Sequence, residues 1–154
     1  MKFKPSTKTD LETVIKWIPD ARSCSVWAGP KVIFPLELEQ LYDAIEFDKI
    51  HTYSLMDEKN LLALGQLKMF ENKRGHLSRI IVKPEYRGKG IGEILCSELI
   101  DKAKQLKCKT ISLNVNNDNG VAIRLYKKLG FRVPTKKPDG LRDDVIYMEL
   151  KQNN

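Results

Sequence analysis

Three observations predict that this chain is a single domain of mixed α/β class. First, 154 residues, 42% of them hydrophobic and 31% charged, suffice for one core, so residues 1–154 read as one domain. Second, three apolar runs lie in the middle of the chain, at residues 51–57 (HTYSLMD), 61–70 (LLALGQLKMF) and 76–84 (HLSRIIVKP). Their separators, Glu58-Lys59-Asn60 and Asn72-Lys73-Arg74-Gly75, are short and polar, as in an antiparallel meander. Third, a glycine-rich turn, a long apolar stripe at helical spacing and another apolar run follow, which is the pattern of a strand–helix–strand crossover.

The remaining elements follow in chain order. Residues 1–5 form a short strand, and Thr9 or Asp10 then caps a helix through Ile18, with Leu11, Val14, Ile15 and Ile18 on one face. Pro19 ends it. The stretch VWAGPKVIFP, punctuated by Gly29, Pro30 and Pro35, reads as a loop before a second helix near residues 36–47. After the meander, Ile91, Leu95, Leu99, Ala103 and Leu106 recur at helical spacing, with Ile94 and Ile100 widening the stripe. Glu93 and Glu98 lie in its first half and Lys102, Lys104 and Lys107 near its end, which complements the helix dipole. Residues 110–115 form a strand and 116–120 a loop. Residues 121–129 form a short helix closed by Gly130. Residues 131–133 and 145–150 then form a final strand pair around a charged loop.

Composition narrows the function classes. Lys and Arg number 27 against 20 for Asp and Glu, a net charge of +7, so an anionic partner such as a phosphate-rich cofactor or nucleic acid is expected. Against nucleic acid stands the lack of an RNP-like aromatic pattern or a recognition-helix signature. Three cysteines, Cys24, Cys96 and Cys108, are odd in number and lack CxxC spacing, which argues against a disulfide framework or a zinc site. They favour a reducing compartment, and a cytoplasmic location is expected. Neither a secretory h-region nor a run of about eighteen apolar residues is present, so no membrane association is expected. Two distant histidines, His51 and His76, make no metal site.

The segment RIIVKPEYRGKGIGEIL, residues 79–95, carries the chemistry. Three glycines and two cations stand between a strand and the first turn of a helix, where free backbone N–H groups and the positive dipole end attract anions. Glycines let an anion approach the backbone closely, and Arg87 and Lys89 add charge. A pyrophosphate suits such a place. A Walker A loop would need Ser or Thr after Gly-Lys, but Gly90 follows Lys89. A dinucleotide fingerprint would need a third glycine where Glu93 stands.

Arg87, Gly90 and Gly92 reproduce the Arg/Gln-x-x-Gly-x-Gly/Ala hallmark of the GNAT superfamily of acyl-CoA-dependent N-acetyltransferases, which the chain resembles. A second block, NVNNDNGVAIRLYKKLGF, is similar to that family's later strand, asparagine loop and helix, with Asn119, Tyr126 and Gly130-Phe131 on its positions. The likeness is sharp over residues 77–131 and loose before them. It implies a GNAT-like fold: a central mixed, mostly antiparallel sheet of six to seven strands flanked by about four helices. The donor it implies is acetyl-CoA. Ile80, Ile81 and Val82 would offer backbone groups to the pantetheine arm. Arg87, Gly88, Lys89, Gly90, Ile91, Gly92 and Glu93 would hold the CoA pyrophosphate through main-chain N–H groups. Asn119 would contact the cofactor, and Lys89, Arg124, Lys127 and Lys128 are candidates for the outer phosphates on charge alone.

The implied chemistry is transfer of an acetyl group to a primary amine of a small molecule or peptide, by direct attack in a ternary complex. Val82 would donate its N–H to the oxyanion. Tyr126 would protonate the departing sulfur as general acid. Some relatives carry a glutamate as base on the strand before the asparagine loop, but here Asn114 stands at that position and cannot take a proton. Either the amine arrives neutral, or water relays its proton, or His76, Glu71 or Asp57 serves. A non-catalytic acyl-CoA-binding or sensor module is the alternative function. For the acceptor the hints conflict: Glu37, Glu39, Asp43, Glu46 and Asp48 form an acidic stretch suited to a cationic amine, whereas Lys136, Lys137 and Arg142 suit an acidic one. Trp27 and Phe34 are candidates to line the acceptor site. A monomer or homodimer is expected.

Overall fold

A computed structural model describes residues 1–152 of the chain. The strands are β1 (Lys2–Pro5), β2 (His51–Asp57), β3 (Asn60–Met69), β4 (Arg74–Val82), β5 (Thr110–Asn116) and β6 (Val145–Lys151), and they lie in one sheet in chain order. Every neighbouring pair is antiparallel except β4 and β5, which are parallel. The helices are α1 (Lys8–Ile15), α2 (Ala21–Ala28), α3 (Leu38–Ala44), α4 (Ile91–Gln105) and α5 (Gly120–Lys128). Six strands fall within the expected six to seven, and five helices accord with the expected count of about four.

The added helix is α2. Asp20 caps it, its side chain accepting the Ser23 N–H at 2.8 Å, and Gly29 ends it at φ 101°. The expected loop therefore begins only after Ala28. Helix α1 starts earlier than its apolar spacing suggests. Thr7, not Thr9 or Asp10, is the N-cap, while Asp10 closes a capping box by accepting the Thr7 N–H at 3.0 Å. It ends at Ile15 rather than Ile18, although Trp17 and Ile18 remain buried. The expected final strand pair reduces to a single bridge between Arg132 and Glu149. On α4, Ile94 and Leu106 face solvent rather than the core, at 37% and 38% exposure.

Side-chain alternation along the strands makes two apolar layers. Leu67, Leu77, Ile111, Leu113 and Met148 pack under α4 and α5, with Leu95, Leu99 and Phe131 at the centre. On the opposite face Leu61, Leu64 and Ile81 pack under α1, α2 and α3 through Leu11, Val14, Trp27 and Leu41. The three cysteines are free and buried. No helix among the described residues is long and apolar enough to cross a membrane.

Asp10 fixes α1 to the sheet. Burial would raise its carboxyl, but the Lys4 ammonium at 2.9 Å, the Thr7 N–H and the Ser54 hydroxyl at 3.0 Å outweigh that and hold it below 3.8. A depressed folded value means that the stabilisation is present above 3.8 and fades as pH falls through the lowered value. Asp10→Ala should therefore cost about 1–3 kcal/mol at neutral pH. In urea denaturation the deficit should shrink well below pH 3.8.

Candidate active site

Strands β4 and β5 pair only from Arg74↔Thr110 to Leu77↔Leu113. Beyond Leu77 they part, while β4 stays with β3 and β5 stays with β6. The cause lies in β4. Its register against β3 slips between Leu64↔Ile81 and Gln66↔Ser78, so one residue is extra, and Arg79 there has φ 49°. This bulge is pinned on three sides. The Trp27 indole donates to the Arg79 carbonyl at 2.8 Å, and the Arg79 guanidinium donates to the Ala28 carbonyl at 3.2 Å and to Gln66 Oε1 at 3.0 Å. Trp27 is thus a buried support and not an acceptor-lining ring; Phe34 is partly buried against the same layer.

Past the bulge the backbone of β4 alternates. The Lys83 N–H donates to the Leu62 carbonyl at 2.8 Å, so Val82 points its own N–H and carbonyl the other way, into the gap. The carbonyl accepts the Arg87 Nε–H at 3.1 Å, and among the described residues the N–H has no side-chain partner. Ile80, with Val82, packs toward α4, whereas Ile81 is buried beneath α2 and α3.

After a 3-10 turn at Pro84–Tyr86 the chain runs through Gly88 and Gly90 at φ 78° and 83° into α4, with Gly90 as N-cap. Other residues rarely adopt such angles, and nothing lies within 4 Å of where a Cβ would sit at either position. Among the described residues, the N–H groups of Gly88, Lys89, Gly90, Ile91, Gly92 and Glu93 make no backbone hydrogen bond. Six consecutive donors at the positive end of a helix of 15 residues form an anion cradle. Glu93 faces it at one edge, but its carboxylate is held by Lys128 at 2.8 Å. Lys89, Arg124 and Lys127 are exposed.

Across the gap, Asn119 caps α5: its side-chain oxygen accepts the Ala122 N–H at 3.2 Å, leaving the amide NH₂ without a partner among the described residues. Tyr126, one helical face on, is 9% exposed and meets the Phe131 ring edge-on at 6.1 Å. Its hydroxyl makes no hydrogen bond among the described residues. Burial, with Cys96 beside it, pushes this phenol well above its ordinary range, so it stays protonated at neutral pH.

On the opposite face of the sheet a polar cluster borders the same gap. His76 Nδ1 and the Arg74 guanidinium both lie 2.7 Å from the Ser112 hydroxyl. Asn114 is exposed, and Tyr147 stands opposite it on β6. The Tyr147 hydroxyl donates to Glu149 Oε2 at 2.8 Å. Sequence reading missed this pair, although two residues two apart in an apolar strand share a face. His76 does reach the cluster, but burial and then Arg74, Lys68 and Arg79 push its imidazole down to about 4, leaving a weak base. Glu71 sits in the turn at the far end of β4, and Asp57 ends β2, two strands away. Neither belongs to the cluster. Helix α2 reaches across the gap, where Arg22 meets Asp118 of the asparagine loop at 3.4 Å.

The conflicting charge hints lie outside this cluster. In the acidic stretch around α3, Glu39 pairs with Lys8 at 2.6 Å and the other carboxylates are exposed. Arg142 in the late loop pairs with Asp144 at 3.3 Å. A cavity of about 920 Å³ lined by Lys73, Lys104, Lys107, Lys109 and Lys151 opens at the other end of β4, away from the glycine turn. It is a basic surface cleft without the groups an acyl transfer needs.

The chain thus shows a parted parallel strand pair, a run of free N–H groups at a helix start and a buried phenol. Residues 13–131 match the model of the Acetyltransferase (GNAT) family. Over 133 residues, 86% of this chain and 72% of the relative, the chain is 30% identical to the spermine/spermidine N(1)-acetyltransferase of Bacillus subtilis (strain 168). Over 80 residues, 48% of this chain and 53% of the relative, it is 38% identical to the ribosomal protein bS18-alanine N-acetyltransferase of Escherichia coli (strain K12). In fold it is similar to the paia N-acetyltransferase of Thermoplasma acidophilum in complex with coenzyme A, with TM-score 0.71 and 22% identity over 98% of each chain. The chain belongs to the GNAT family of acetyltransferases. It is an acetyl-CoA-dependent N-acetyltransferase.

Proposed function

We propose that this enzyme, acting as one catalytic domain over residues 1–154 in the cytoplasm, acetylates the primary amine of a polyamine or of a peptide N-terminus. The observation that carries the reading is the run of six N–H groups at the glycine turn that make no backbone hydrogen bond among the described residues. Acetyl-CoA supplies an activated acetyl thioester. The chain's own groups do the rest. Residues 88–93 bind the pyrophosphate through these N–H groups, the Arg87 N–H being already given to the Pro84 carbonyl at 3.3 Å, and Asn119, with its amide NH₂ unused, contacts the donor. The gap-facing backbone of Ile80 and Val82 aligns the donor as a strand would align a neighbour, with Ile81 anchoring that stretch from below. The Val82 N–H stands where it can donate to a carbonyl oxygen that gains charge. Tyr126, protonated at neutral pH, returns a proton to the leaving sulfur.

The acceptor approaches from the face bearing Asn114, Tyr147 and Glu149, where a partly exposed carboxylate favours a cationic amine. The two relatives named above, one acting on spermine and the other on a protein's alanine, bracket this class. A panel of polyamines, amino acids and short peptides with alanine first, with released CoA thiol as readout, tests it. Turnover is expected for spermine or the peptides. Binding of acetyl-CoA without turnover of any amine would leave only an acyl-CoA-binding module.

A further inference from the structure

Asn114 poses a chemical problem: an ammonium must lose a proton before its nitrogen can attack, and an amide side chain cannot accept one. The sheet register places a carboxylate beside this position on the next strand. Leu77↔Leu113 is the last β4–β5 pair, so Asn114 is the first β5 residue to face the gap. Its partner on β6 is Tyr147, and Ser112, one rung back, is opposite Glu149. Tyr147 and Glu149 share a face and are joined at 2.8 Å. Tyr147 is 3% exposed, and its hydroxyl is oriented with its proton toward Glu149 and Ser112 beside it, which leaves one lone pair to accept.

We infer that Tyr147 and Glu149 form the proton relay that deprotonates the acceptor amine, in place of the carboxylate that Asn114 does not supply. One N–H bond of the ammonium breaks as the Tyr147 oxygen takes that proton. The phenolic proton moves in the same step to Glu149 Oε2, and the nitrogen pair set free attacks the thioester. Charge balances: an ammonium and a carboxylate become an amine and a carboxylic acid, and Tyr147 is unchanged. Burial and the bond to Glu149 raise the Tyr147 phenol, against a smaller opposing effect of Ser112, which suits a relay that is never an ion at rest.

Charged and titratable groups surround the pair on several elements. Arg74 and His76 face it from β4, and Lys151 follows it on β6. Lys68 and Arg79 stand behind His76. Arg132 pairs with Glu149 through its backbone, its guanidinium turned to the Lys127 and Phe131 carbonyls. Strand β5 contributes only uncharged residues on this face, Thr110, Ser112, Asn114 and Asn116. His76, held neutral, adds no charge of its own.

The inference rests on the gap being the place where thioester and amine meet, and the test separates the two. Glu149→Gln, Tyr147→Phe, the double variant and Glu149→Asp are assayed with spermine and with a short peptide with alanine first, from about pH 6 to 10, spanning the usual range of amine titration. Acetyl-CoA binding is followed by calorimetry on the same proteins. Each single variant should lose about 10²-fold in kcat/KM for the acceptor near neutral pH. The gap to wild type should narrow as pH rises and the amine deprotonates unaided. The double variant should be no worse than the singles, because both break one relay, and Glu149→Asp should restore part of the rate. Acetyl-CoA affinity should not move. Losses that are equal at every pH, that multiply in the double variant, or that fall only on acceptor KM would overturn the relay while leaving the transferase site standing. Absence of acetyl-CoA binding in the wild-type protein would sink the site reading beneath it.

Discussion

Tyr126→Phe is expected to lower kcat by about 10²- to 10⁴-fold while acetyl-CoA affinity and thermal stability barely change. The substitution removes one oxygen and keeps the ring that meets Phe131 at 6.1 Å. That hydroxyl makes no hydrogen bond among the described residues, so its loss leaves no buried partner orphaned. Burial makes the phenol a poor source of phenolate, and a proton donor must be protonated at the working pH. Steady-state kinetics alongside calorimetry of acetyl-CoA binding checks the split. Full activity in the Phe variant would reduce Tyr126 to packing.

Phe131→Ala is expected to cost about 3–5 kcal/mol of stability. Phe131 is fully buried at the junction of α5 and the sheet, and its N–H closes the helix end by donating to the Tyr126 carbonyl at 3.0 Å. Truncation leaves a cavity directly behind the Tyr126 ring. Urea denaturation should therefore show a large loss of stability here and almost none for Tyr126→Phe, although the two side chains are neighbours. Turnover should fall in both, for different reasons. A Phe131→Ala protein as stable as wild type would mean that the layer under α4 and α5 can close over the void.

What could be read from the sequence was whatever local chemistry dictates. The glycines at 88 and 90 and the asparagine at 119 stand in positions set by backbone angle and capping, and the tyrosine at 126 in one set by helical phase. Short polar turns marked the meander, and helix α4 followed its apolar stripe. Helix α2 escaped notice because ARSCSVWA has no long apolar periodicity, although Pro19-Asp20 ahead of it is a usable start signal. The bulge at Arg79 was invisible for a deeper reason. No glycine marks it, and the left-handed angle is imposed by Trp27, Ala28 and Gln66, which come from elsewhere in the chain. Likewise the meeting of Tyr147 with Ser112 and Asn114 depends on β5–β6 register, which only the folded sheet fixes. Ile94 and Leu106 show the limit of counting apolar residues, since a helix with one buried side leaves some of them wet.

The pairing of β4 with β5 over only four residue pairs bears on solubility as well as on catalysis. Unbonded strand backbone at the rim of a sheet invites a second protein chain and is a usual seed of aggregation. Here the unbonded stretch lies inside a wedge, walled by β5 on one side and roofed by α4. The same crevice that leaves a strand half unsatisfied also shields it from its own kind.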